Sequence, residues 1–137
     1  MPVKRLNHIG IAVSSIEEQK PFYEGVLGLE FEGTEDVPSQ KVRVGFFRAE
    51  DVRIELLEPT DPESTVAKFL EKRGPGLHHL AFTVEDIKTR IEELKESGLR
   101  MIDDEPRLGS HHMQIAFVHP KSSFGVLTEL CESVDES

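Results

Sequence analysis

Two stretches of the chain alternate apolar with small or polar residues in the same way. His8-Ile9-Gly10-Ile11-Ala12-Val13 and His79-Leu80-Ala81-Phe82-Thr83-Val84 both read histidine, apolar, small, apolar, small, valine. Alternation with period two marks a strand with one buried face. The offset that carries His8 onto His79 also carries Ile16 onto Ile87, where each copy changes to a helical period. Gly28 or Gly98 closes that period, followed by Leu29 or Leu99. Ile54-Glu55-Leu56-Leu57 then matches Thr128-Glu129-Leu130-Cys131 at a slightly longer offset, which small loop insertions explain. Four matches in one order define a duplicated unit joined near residues 73–76.

The pattern predicts strands over residues 6–13, 29–34, 42–48 and 52–59 in the first copy. The second copy has strands over 77–84, 99–102, 113–118 and 125–131. Between the first two strands of each copy a helix is expected. The first starts at a Ser15/Glu18 capping box and aligns Ile16, Tyr23 and Leu27, with Pro21 expected to kink or split it. The second starts near Asp86, aligns Ile87, Ile91 and Leu94, and stops at Gly98. Val66, Phe69 and Leu70 suggest a short helix in the connection. The fold class is α+β: two pseudo-symmetric βαβββ modules forming a curved mixed sheet that lines a cleft. A half of ~60 residues buries too little surface to stand alone. The expected organisation is therefore one domain over residues 1–137, with repeat 1 at about 4–60 and repeat 2 at about 76–132.

On the first strand His8, Gly10 and Ala12 share one face, and His79, Ala81 and Thr83 do so in the second copy. An imidazole beside residues that leave space suits a ligand cavity better than a packed core. Glu55 and Glu129 sit between apolar neighbours at matching repeat positions, and a buried carboxylate costs several kcal/mol unless paired or metal-bound. His8, Glu55, His79 and Glu129 are therefore candidate ligands for one divalent first-row ion: Co²⁺, Ni²⁺, Zn²⁺, Mn²⁺ or Fe²⁺. The competing reading is two hydrogen-bonded core histidines and two edge carboxylates; the matched pairs favour the metal. His78 is expected to face away from His79. His111 and His112 are read as loop residues, His119-Pro120 as a turn, and Cys131 as small apolar packing, like its counterpart Leu57.

Composition narrows the partners. The 137 residues are 37% hydrophobic and 31% charged, with 16 Lys+Arg against 26 Asp+Glu and a formal charge of −10. That balance opposes nucleic acid and anionic membrane surfaces. No apolar run reaches the ~20 residues of a membrane span, and the N-terminal residues lack the apolar stretch of a signal peptide. With one cysteine the chain forms no internal disulfide, which fits the cytoplasm.

Several phrases are similar to one family. They are Asn7-His8-Ile9-Gly10-Ile11-Ala12-Val13, Phe22-Tyr23 with Leu27-Gly28, and Ile54-Glu55-Leu56-Leu57-Glu58-Pro59. Ser64-Thr65-Val66-Ala67-Lys68-Phe69-Leu70, Gly76-Leu77-His78-His79-Leu80-Ala81-Phe82 and Asp104-Glu105-Pro106-Arg107-Leu108-Gly109 continue the match. It ends with His119-Pro120-Lys121-Ser122 through Gly125-Val126-Leu127. Over nearly the whole chain the sequence resembles the methylmalonyl-CoA epimerases of the vicinal oxygen chelate superfamily. The resemblance implies a divalent metal, most often Co²⁺, a homodimer, and interconversion of (R)- and (S)-methylmalonyl-CoA. His8, His79 and Glu129 match family ligands. Glu55 falls where some members carry a glutamine ligand, and Val44 falls where those members carry a catalytic glutamate.

Inverting a carbon α to a thioester requires a proton taken from one face and returned to the other. Glu129 and Glu55 are the expected acid–base pair. Gln40 and Ser122 are expected at the acyl end of the substrate. Lys121, with Arg107, Lys68, Lys72 and Arg73, is expected to offset the acidic field for a polyanionic coenzyme A. A glyoxalase I-like enzyme, a dioxygenase and a metal-free binding module of the same fold are the alternatives.

Overall fold

The structure, a computed structural model, describes residues 3–134. Its strands are β1 (Arg5–Ala12), β2 (Glu30–Val37), β3 (Val42–Ala49), β4 (Val52–Pro59), β5 (Gly76–Thr83), β6 (Arg107–Leu108), β7 (Met113–Val118) and β8 (Thr128–Ser133). The helices are α1 (Ile16–Lys20), α2 (Thr65–Arg73) and α3 (Ile87–Glu96). The strand order is β2-β3-β4-β1 in one half of the chain and β5-β8-β7-β6 in the other. The described residues divide into two compact units, one of His8–His78 and one of residues 3–7 with residues 79–134.

The two units repeat one topology. In the first, β1 runs parallel to β4, with β3 and β2 added antiparallel. In the second, β5 runs parallel to β8, with β7 and β6 added antiparallel. Each unit has an apolar layer on the helix side of its strands. Val13, Ile16, Phe47 and Leu56 cluster at α1; Val84, Ile87, Ile91, Ala116, Val118 and Leu130 cluster at α3. On the other face of the first unit, Ala12, Val42, Val44, Phe46 and Leu57 pack with Val66 of α2.

The helix starts follow the sequence signals. Ser15 Oγ accepts the Glu18 N–H at 3.2 Å, and Glu58 of β4 takes the Ile16 N–H at 2.8 Å, so a tertiary carboxylate completes the cap. Ser64 caps α2 through the Ala67 N–H at 2.9 Å. Pro21 ends α1 as an α-helix, because proline supplies no N–H for the next turn. The chain continues as a π-helical turn, Pro21–Val26, with the Leu27 N–H reaching the Phe22 carbonyl at 2.9 Å. The wider turn rotates Leu27 off the expected face, and its side chain is exposed.

Three expected strands differ, and the first of them, β2, runs three residues past its expected end to Val37, paired with Val42. Residues 99–102 form no strand: Met101 makes a single bridge to Val118, and Asp103 Oδ2 takes the Phe117 N–H at 2.9 Å. A side chain in place of a backbone carbonyl stops that ladder, and the short β6 supplies the pairing instead. The last strand begins at Thr128 rather than residue 125, since Phe124 and Gly125 have φ of 56° and 91°, outside the β region.

Candidate metal centre and acid–base site

β1 brings His8 to the face opposite α1, and the parallel register sets Gly10 beside Glu55 of β4. Gly10 has no side chain, so the Glu55 carboxylate can swing toward His8. Its Oε2 lies 3.3 Å from His8 Nδ1. The second unit repeats the arrangement. Ala81 stands beside Glu129 of β8, and Glu129 Oε1 lies 3.3 Å from His79 Nε2. Both pairs are buried: His8 is 5% exposed, Glu55 3%, His79 6% and Glu129 4%. A small residue two places after each histidine thus stands beside each carboxylate.

The 3.3 Å separation is informative. A charge-assisted N–H···O bond closes to about 2.7–2.9 Å. Neighbouring N and O donors about 2.1 Å from one ion stand about 3.0 Å apart at a right angle and about 3.4 Å apart at the tetrahedral angle. The donor set of buried imidazole and carboxylate therefore fits a divalent cation of the first row. His8 with Glu55 and His79 with Glu129 thus give each unit one imidazole–carboxylate pair.

The other expected residues fall as follows. Gln40 ends a 3₁₀ turn, Pro38–Gln40, and is half-buried. Lys121 is exposed in the turn after His119, and its N–H donates to His119 Nδ1 at 3.1 Å. Ser122 Oγ accepts the Arg100 N–H at 2.8 Å, tying that turn to the segment before β6. His78 faces away from His79's side of β5 and meets the Phe69 ring edge-on at 5.1 Å. His111 and His112 lie in a tight turn with positive φ, as loop residues. Cys131 is fully buried among Ala81, Ile115 and Phe117. Among the basic candidates, Lys68 pairs with Glu63 at 3.7 Å, Arg73 lies over Phe69, and Arg107 meets Asp103 at 3.2 Å.

One carboxylate escaped the sequence reading. The β2–β3 register sets Glu35 directly across from Val44, and Val44 faces Leu57 on the Glu55 side of β4. Glu35 is half-buried on that face. In sequence it belongs to an acidic run (Glu30, Glu32, Glu35, Asp36) that reads as a solvated edge, and only the register distinguishes it.

Residues 7–117 match the model of the glyoxalase/bleomycin resistance protein/dioxygenase superfamily. An ethylmalonyl-CoA/methylmalonyl-CoA epimerase of Cereibacter sphaeroides is 40% identical over 130 residues, covering 93% of this chain and 97% of that protein. An uncharacterized Bacillus subtilis protein, YqjC, is 48% identical over 130 residues, covering 95% and 93%. A solved methylmalonyl-CoA epimerase in complex with methylmalonyl-CoA and NH₄⁺ is 38% identical. It superposes with a TM-score of 0.94 over 98% of this chain and 97% of that one. The chain belongs to the glyoxalase/bleomycin resistance protein/dioxygenase superfamily and, within it, to the methylmalonyl-CoA epimerases.

Proposed function

We propose that this protein interconverts the two epimers of methylmalonyl-CoA at C2, with His8, His79 and Glu129 holding a divalent cation and Glu55 completing the set. The observation that carries this reading is the repeated pair: a buried imidazole and a buried carboxylate 3.3 Å apart, once in each unit. The epimerase relatives support the substrate. A bound divalent cation supplies positive charge that lowers the cost of negative charge on the thioester oxygen as C2 loses its proton. Mixed N and O donors accommodate Co²⁺ as the expected ion.

The protein's own groups move the protons. Each carboxylate has one oxygen beside its imidazole; the other is the proton acceptor in this reading. Glu129 and Glu55 come from different repeats, so one removes the C2 proton and the other returns a proton to the opposite face. Gln40, Lys121 and Ser122 contact the substrate. The two repeats work as one domain, residues 1–137, in a cytoplasmic homodimer. The metal-free binding module is the rival, and it predicts a protein indifferent to chelators.

The test is deuterium exchange at C2 of methylmalonyl-CoA in D₂O, followed by NMR with Co²⁺-loaded protein. The parent exchanges the proton and a chelator stops it. Glu129→Gln and Glu55→Gln each lower the rate by about 10²–10⁴-fold, the usual worth of a positioned acid or base. No exchange by the loaded parent sinks the epimerase reading. Full activity in Glu55→Gln with loss in Glu35→Gln moves the second base to Glu35.

A further inference from the structure

The Asp104–Gly109 phrase has no part in the chemistry above, yet the structure connects its Arg107 to a proposed ligand. Phe117 of β7 pairs directly with Glu129 of β8 and is 6% exposed. Its ring meets the His79 imidazole edge-to-face, with centroids 5.5 Å apart and planes at 87°. The Arg107 guanidinium carbon lies 5.8 Å from the centre of the same Phe117 ring. Arg107 Nε is buried without a hydrogen bond and stands 3.2 Å from Asp103 Oδ1, while Asp103 Oδ2 accepts the Phe117 N–H at 2.9 Å. Asp103 therefore fixes both the backbone that carries the ring and the cation that covers it.

The geometry points to Asp103, Arg107 and Phe117 as a brace of positioning residues that sets the plane of the His79 imidazole for metal binding. The inference rests on the reading of His79 as a ligand. A ligand imidazole is ordinarily oriented by a hydrogen bond from its second nitrogen. The perpendicular contact with Phe117 is a further restraint, because it limits the ring's rotation about χ2, a torsion that is otherwise broad. The quadrupole of Phe117 favours the perpendicular contact and also attracts the guanidinium. Arg107 suits the task because its planar group stacks, which a lysine ammonium does not. Removing Arg107's charge thus loosens Phe117 and, through it, His79, although Arg107 touches neither ligand.

The test uses the full chain with Arg107→Gln and Phe117→Leu, and three readouts. In metal-free protein, NMR follows the His79 imidazole protons, which the Phe117 ring current displaces. Phe117→Leu moves them most and Arg107→Gln moves them in the same direction. Co²⁺ affinity, by competition with a chelator, falls roughly ten-fold in each variant, the lower end of what loss of a ligand-orienting partner costs. Steady-state kinetics then show a lower kcat with KM near the parent value. Arg107→Gln with unmoved His79 signals and parental Co²⁺ affinity overturns the proposal, even if Phe117→Leu does not fold. An Arg107→Gln variant whose one change is a raised KM overturns it too, by assigning Arg107 to the substrate. A parent that exchanges no deuterium at C2 while both NMR and Co²⁺ readouts shift removes the epimerase reading and leaves the brace standing.

Discussion

His119 shows how one side chain can make a loop respond to pH. Its Nδ1 accepts the Lys121 N–H, which requires that nitrogen to be unprotonated. Desolvation, then the charges of Arg100 and Lys121, hold its pKa below the usual 6.5. The folded protein therefore binds this proton less readily than the unfolded chain. The stabilisation is fully present above about pH 6.5 and is lost as pH falls through the lowered pKa. An NMR titration is expected to show the Lys121 amide signal moving together with the His119 ring below pH 6.5, and the amide change disappearing in His119→Gln. Since the proposed substrate contacts Lys121 and Ser122 share this turn, the substrate KM is expected to rise over the same interval. The buried pairs at His8 and His79 belong to the same scale. Their residue types were legible in the sequence because a histidine or glutamate on an apolar face demands a partner, and the repeat supplied one for each. Glu35 was not legible, because acids on an edge strand usually face water and nothing local separates Glu35 from Glu32.

At the scale of elements, the strands with strict alternation were read to within a residue or two: β1, β3, β4, β5 and β7. Errors came where a side chain or a left-handed residue interrupts the ladder, as Asp103 and Phe124 do. Those interruptions depend on partners distant in sequence. The close approach of α1 to β3 is one such constraint. A Cβ added at Gly45 would stand 2.9 Å from Ile16 Cγ2, and Ile16 is fully buried. Gly45→Ala is expected to cost about 1–3 kcal/mol through overpacking, read as a lower thermal midpoint. Pairing it with Ile16→Leu, which removes the Cγ2 branch from the β carbon, is expected to recover part of that loss, because the two sites touch.

For the molecule as a whole, the proposed cation and folding are linked. Four buried ionisable groups face one another in pairs, and a divalent ion that binds only the folded chain adds stability as RT ln(1 + [L]/Kd). Co²⁺ at about 100 times its Kd is expected to add about 2.7 kcal/mol. A chelator is expected to lower the thermal midpoint accordingly, and Glu129→Gln to abolish most of the difference. An unchanged midpoint on chelation would count against the shared ion.

The sequence by itself determined the duplication, the period of each strand and the four residues with a reason to meet. These follow from local alternation and from the high cost of burying an unpaired charge. Tertiary structure decided which residues stand side by side. The registers Gly10–Glu55 and Ala81–Glu129 put each carboxylate within reach of its imidazole, Glu35 came to face Val44, and Phe117 came to rest on His79. Periodicity fixes the face a side chain takes, but not its neighbour across the sheet. That neighbour is set by hydrogen-bond register between distant segments, and a one-residue slip would send every one of these groups to the opposite face.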